Sequence, residues 1–165
     1  MNLDAWPGSG VGSGLLIDTN LLVLFAVGTV SPNQIERFKR TSVYTREDYE
    51  LLVRIMDGFS QLYTVAHVMA EVSNLIDLQG SHRLLARQVL ADTIAVLKEP
   101  HVSSLQASGS SNYEDLGLAD SAISVVAREQ QCEVLTDDLG LYLSLLREGL
   151  PVVKFSHLRE RIWSR

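Results

Sequence analysis

Hydrophobic and polar positions along the chain follow two rhythms. Four short runs, GLLID (14–18), QLYTV (61–65), CEVLT (132–136) and PVVKF (151–155), are apolar or β-prone and of strand length. Between them, apolar residues recur at helical spacing in HVMAEVSNLIDL (67–78), SHRLLARQVLADTIAVL (81–97), LGLADSAISVVAREQ (116–130) and LGLYLSLLREG (139–149). The last of these is expected to stop at Gly149, with Pro151 just beyond. Two further helix starts carry end signals. SPNQ (31–34) offers an N-cap serine, a proline in the first turn and a glutamine at the capping-box position, and TRED (45–48) offers a second capping box. A weak strand is expected near HVSSL (101–105).

Strands that alternate with helices predict an α/β fold, with a mainly parallel sheet covered by helices on both faces. In such sheets ligands bind beyond the carboxyl ends of the strands, where the strand order reverses. Asp18 falls at one such end. It is the only charge in GSGLLIDTNLLVLF (12–25), and an ionised carboxylate buried alone costs several kcal/mol even after relaxation. The fold must therefore bring it donors, a cation or a metal.

Other acids fall at comparable places. Asp137 and Asp138 end the third run, at the same sheet edge as Asp18. On a helix, Asp120 shares a face with Leu116, Ile123, Ser124 and Ala127 and should point inward, and Glu71 lies beside His67, Val68, Asn74, Leu75 and Leu78. Each acid also has an ordinary reading. Asp137 or Asp138 caps the next helix, Asp18 accepts from the loop that follows it, and Glu71 is a half-exposed helix acid. As a set, without matching Lys or Arg nearby in sequence, they are most economically held by a divalent cation. Clustered carboxylate oxygens suit Mg2+ or Mn2+, and no Cys and His spacing offers zinc.

The chain has 165 residues, enough for one domain with a substantial core. That domain is expected over 14–165, after a flexible tail over 1–13 with glycines and serines. No stretch reaches ~18 uninterrupted apolar residues, and the N-terminus lacks a signal-peptide pattern, so no membrane association and a cytoplasmic location are expected. Cys132, the single cysteine, adjoins an apolar run and is expected to be a buried hydrophobe without a catalytic role. A net charge of −6 opposes a polyanionic partner. However, Asp18, Glu71, Asp120, Asp137 and Asp138 are five of the 20 acids, which leaves 15 against 14 basic residues. An acidic pocket filled by a metal attracts a phosphodiester instead of repelling it.

Taken in order, LLIDTN (15–20), VMAEVSNL (68–75), LGLADSAISVVA (116–127) and EVLTDDLGLY (133–142) resemble the four acidic motifs of PIN-domain ribonucleases, the group that contains the VapC toxins. The match spans roughly 14–155. The resemblance implies a three-layer α/β/α sandwich and Mg2+- or Mn2+-dependent hydrolysis of RNA by a metal-activated water, and it allows the role of toxin in a toxin–antitoxin pair. It makes Asp18, Glu71 and Asp120 the first three acids. The family's Thr-x-Asp pattern selects Asp138 as the fourth, with Asp137 a further metal ligand, a support behind the ligands or a helix cap. Asn20, Ser121 and Thr136 are the residues expected to orient the ligands from behind.

The chain departs from compact VapC-type toxins in its 53 positions from Asp18 to Glu71, which accommodate a helical insertion around 31–58. The insertion carries Arg37, Lys39, Arg40, Arg46 and Arg54, interspersed with Glu36, Glu47, Asp48 and Glu50, and reads as a solvated mixed-charge face before it reads as an RNA path. Arg83 and Arg87, one helical turn apart, allow the same two readings. The apolar stretches LLVLFAV (21–27) and LYLSLLREGL (141–150) exceed the needs of one core and suggest a homodimer or an antitoxin-like partner. Three other classes compete. A haloacid-dehalogenase-like phosphohydrolase wants a second Asp where Asn20 stands, and a receiver-type signalling domain places its paired acids before the phosphorylated Asp. A non-catalytic PIN-like module would keep the fold to bind RNA or protein.

Overall fold

The structure, a computed structural model, describes residues 14–163. The tail expected over 1–13 lies outside the described residues. Four strands form one parallel sheet: β1 (Leu15–Ile17), β2 (Leu62–Tyr63), β3 (Glu133–Thr136) and β4 (Val152–Lys154), in the order β2-β1-β3-β4. Leu15, Leu16 and Ile17 are all fully buried, as are Val134, Leu135 and Thr136. Because successive side chains of a strand point to opposite faces, both faces of the sheet's centre must be covered. The fold is thus α/β with a parallel sheet, and it is compatible with three α/β/α layers.

Nine helices accompany the sheet among the described residues: α1 (Thr19–Val30), α2 (Arg46–Asp57), α3 (Ala66–Leu75), α4 (Ser81–Val96), α5 (Ser104–Ser108), α6 (Tyr113–Leu116), α7 (Leu118–Gln130), α8 (Leu139–Arg147) and α9 (Phe155–Trp163). α1 is apolar nearly all round and packs against α2, α3 and α4. A helix of that composition is a core helix. Its run LLVLFAV therefore meets the rest of the same chain and gives no ground for a partner, whereas Leu139, Leu143 and Leu146 of α8 remain exposed. α7 buries a face of small side chains, Ala119, Ser121, Ala122 and Ser124 among them, and packs against α3, α5 and α6. No helix among the described residues is long and apolar enough to cross a membrane.

Most boundaries follow local chemistry. TRED forms its capping box: Thr45 Oγ1 accepts from the Asp48 amide, and Asp48 Oδ2 accepts from the Thr45 amide at 2.8 Å. α8 ends before Gly149, whose φ of +69° is available to glycine at little cost. Elsewhere tertiary contacts override the pattern. SPNQ starts only a 3-10 turn, Pro32–Gln34, and Ser31 makes no side-chain cap. The chain then turns on itself, because the Thr41 hydroxyl donates to the Ile35 carbonyl at 2.6 Å and the Ile35 side chain is drawn into the core. The insertion's helical content is therefore this turn and α2. HVSSL holds no strand. Lys98 makes the only bridge in that region, pairing with Tyr63, and Ser103 caps α5 by accepting from the Gln106 amide. α3 stops at Leu75, earlier than the periodicity to Leu78 suggests. PVVKF ends as a strand at Lys154, and Phe155 opens α9, a helix the apolar pattern does not announce.

Candidate active site

The strand order reverses between β1 and β3: the chain leaves β1 toward β2 and later returns to β1's other side. Crevices at such points open beyond the carboxyl ends of the strands. Asp18 immediately follows β1, and Asp137 and Asp138 immediately follow β3. The two ends are joined by a hydrogen bond from the Asp18 amide to the Leu135 carbonyl at 3.1 Å.

Asp18 is 2% exposed. Its Oδ1 accepts from the Leu21 amide at 2.9 Å, which caps α1. Its Oδ2 accepts from the Thr136 hydroxyl and from the Asp137 amide. These three donors favour the ionised form, yet burial outweighs them and raises the carboxyl to a pKa of about 6. Donors alone do not make this position comfortable for a charge.

Asp120, in the first turn of α7, is less comfortable still. It is half-buried, and among the described residues its carboxyl has no hydrogen-bond or ion-pair partner. Burial, followed by repulsion from Asp138, Asp18 and Glu71, lifts it to about 7. The repulsion puts Asp18, Glu71 and Asp138 within electrostatic reach of Asp120, although the four come from separate parts of the chain. Glu71, on the exposed side of α3, accepts at Oε2 from the Thr19 hydroxyl at 3.0 Å. Asp138 is exposed and caps α8, with Oδ1 accepting from the Leu141 amide at 2.8 Å. Three of the acids thus stand at the N-terminal ends of helices, where the helix dipole offsets part of their mutual repulsion.

Asp137 has both carboxylate oxygens engaged outside the acid group, although its charge still raises Asp18. Its Oδ2 accepts from the Tyr44 hydroxyl at 3.1 Å and its Oδ1 from the Ser156 amide at 3.0 Å, which ties the β3 loop to the insertion and to α9. Burial, and after it the charges of Asp137 and Asp18, push the Tyr44 hydroxyl far above its ordinary range. The Arg159 guanidinium lies 5.9 Å from the Tyr44 ring centroid. Its Nε is 2.7 Å from Oδ1 of buried Asp48, a close ion pair not aligned as a hydrogen bond. Asp48 is therefore structural, while the insertion's Arg37, Lys39, Arg40, Arg46, Arg54, Glu36, Glu47 and Glu50 are all exposed. That is the solvated mixed-charge face the sequence suggests, less one member.

The remaining polar residues divide. Thr136 is fully buried, donates to Asp18 and accepts from the Asp138 amide at 2.9 Å, so it holds both strand-end acids in place. Asn20 is exposed and has no side-chain hydrogen bond among the described residues. Ser121 donates to Asn112 Oδ1 at 3.3 Å and touches none of the acids. The Asn112 amide in turn donates to Ser124, Ser144 and Glu148, fastening α7 to α8 and to the residue that ends it. Thr19, Tyr44 and Asn112 carry roles that sequence reasoning missed. Only Thr19 had a local signal, its place beside Asp18. Cys132 is buried, and burial raises its thiol to about 11, consistent with a packing residue.

Among the described residues, no group of three or more His, Cys, Asp or Glu side chains is already arranged to hold a metal ion. The donor set nevertheless suits a hard divalent cation. Among the described residues both oxygens of Asp120 are without partners, as are Asp138 Oδ2 and Glu71 Oε1, and Asp18 keeps one of its roughly four lone-pair sites. No Lys, Arg or His among the described residues neutralises any of the four. Neither a protein-family model nor a curated protein matches the chain.

Proposed function

We propose that the chain is a Mg2+- or Mn2+-dependent endoribonuclease of PIN-domain type. The observation that carries this reading is Asp120, half-buried and raised to about 7 by burial and by the neighbouring charges of Asp138, Asp18 and Glu71. Structural acids find donors or cations. Among the described residues this one finds only other acids, which is the arrangement of a site that gains a cation in use. The order and spacing of the four acidic motifs supply the PIN-like part of the proposal.

In this reading Asp18, Asp120 and Asp138 hold one or two ions, and Glu71 holds an ion or orients the attacking water. When bound, the ion polarises the phosphodiester and lowers the pKa of that water. The chain's own residues prepare the site. Thr136 and the Asp137 amide fix the Asp18 carboxylate, Thr19 fixes Glu71, and the α8 amide of Leu141 fixes Asp138. Rigid placement of this kind shortens the search for the productive geometry. Asp137, with both oxygens occupied, serves as a brace. A homodimer, or an antitoxin-like partner over the exposed leucines of α8, accompanies this proposal.

The test is cleavage of a mixed RNA pool with Mg2+, with Mn2+ and with EDTA. The wild-type protein should cut only with metal, and the double variant Asp18→Asn, Asp120→Asn should lose cutting while keeping its circular dichroism spectrum. Cleavage that survives both changes would refute the assignment.

A further inference from the structure

α3 and α4 enclose an open, polar cleft of about 390 Å³, lined among others by Ser73, Asn74, Asp77, Arg83 and Arg87. Arg83 and Arg87 are one turn apart on α4, so their guanidinium groups rise from the same face. Both are exposed, and neither makes an ion pair or hydrogen bond among the described residues. The one carboxylate in the lining, Asp77, is already engaged, with Oδ1 accepting from Gln79 Nε2 at 3.0 Å. In a chain of net charge −6, two neighbouring arginines left unpaired in a concave site stand out.

The cleft lies one helical turn from Glu71. Asn74 follows Glu71 by three positions on α3 and so occupies the same helix face, roughly 5 Å further along the axis. A strand whose scissile phosphate reached Glu71 would run on past Asn74 and Ser73 to the arginines. We propose that this cleft is a backbone subsite for single-stranded RNA. Arg83 and Arg87 grip phosphates flanking the cleavage point, each with a forked, bidentate geometry, and Ser73 and Asn74 offer hydrogen bonds to phosphate or ribose. The contacts are to backbone, so the subsite adds affinity without base preference. This inference rests on the ribonuclease reading, but its binding test does not require cleavage.

The experiment measures binding of a short fluorescein-labelled single-stranded RNA of mixed sequence by anisotropy, over a range of salt, in EDTA and on the Asp18→Asn, Asp120→Asn background, which cannot cut and lacks two of the acids that repel RNA when no metal is bound. The double change Arg83→Ala, Arg87→Ala should weaken binding about tenfold and flatten the log–log salt slope by about 1.4, the loss of two single-strand phosphate contacts at ~0.7 each. Arg54→Ala, an exposed arginine on α2, should change neither. Arg83→Lys with Arg87→Lys should restore the salt slope and only part of the affinity, because the charge returns without the fork. Under cleavage conditions the alanine pair should raise KM and leave kcat nearly unchanged. Unchanged affinity and slope, or no RNA binding by the arginine-intact protein on that background, would overturn the subsite. Arginine-dependent binding without metal-dependent cleavage would instead retain the subsite and dismiss the nuclease.

Discussion

Asp120 sets the sharpest expectation for a single residue. Its folded-state carboxyl is raised from 3.8 to about 7, first by burial and then by three neighbouring carboxylates. A raised acid pKa means that the folded state binds the proton more tightly than the unfolded chain. Stability therefore falls as pH rises from about 4 to about 7 and stays low above that. Asp18, raised to about 6, acts in the same direction. Asp120→Asn removes one of the repelling charges. In EDTA at pH 8 it should stabilise the protein by about 1–2 kcal/mol, a figure reduced for the group's partial exposure to solvent. At pH 4.5 the gain should nearly vanish. Urea unfolding at the two values checks both, and a variant less stable than wild type at pH 8 would mean that Asp120 has a partner after all. Added Mg2+ should raise the wild-type midpoint at pH 8 and do less for the variant, since an ion bound only by the folded state stabilises it.

Between elements, the device that positions the site is the junction of the β3 loop with the insertion and α9. Asp137 receives the Tyr44 hydroxyl and the Ser156 amide, and its own amide supports Asp18. Tyr44 also packs against Phe155, ring to ring at 6.2 Å. Tyr44→Phe keeps the ring and removes only the hydrogen bond, leaving one oxygen of a part-buried carboxylate unsatisfied. The expected cost is about 1–2 kcal/mol in stability. A fall in kcat, larger than any change in KM, should accompany it, because a loosened Asp137 loosens Asp18. Loss of stability with full activity would limit the tyrosine to packing.

For the molecule as a whole, stability resides in the centre of the sheet. Leu16 is fully buried on β1, the strand that pairs with both β2 and β3, where any void is walled by backbone that cannot collapse into it. Leu16→Ala should cost about 2–5 kcal/mol, seen as a lower urea midpoint with an unchanged m-value. A smaller cost would mean that the sheet tolerates a cavity at its core. The same placement explains why the acids sit where they do. Parallel strands all point their carboxyl ends one way, so a reversal of strand order concentrates loop residues from distant parts of the chain at a single crevice.

Sequence spacing alone located β1, β3, α4, α7 and α8, the TRED capping box and the stop at Gly149, because strand and helix periodicity and capping depend on neighbours a few positions away. It also placed Asp18 and Asp138 at strand ends and Asp120 on an inward helix face, since a charge among apolar neighbours is visible without coordinates. Spacing misjudged SPNQ and HVSSL, where the contacts that win, Thr41 with Ile35 and Lys98 with Tyr63, lie outside the local window. Only the tertiary structure decided that Asp137 and Asp138, adjacent and identical, take different partners. A loop has no period, so each side chain follows whatever donor reaches it: Tyr44, 93 positions away, for one, and the α8 amide of Leu141 for the other. The partners of Ser121, the isolation of Asn20 and the cleft between α3 and α4 were settled in the same way, by long-range packing that no run of neighbouring residues encodes.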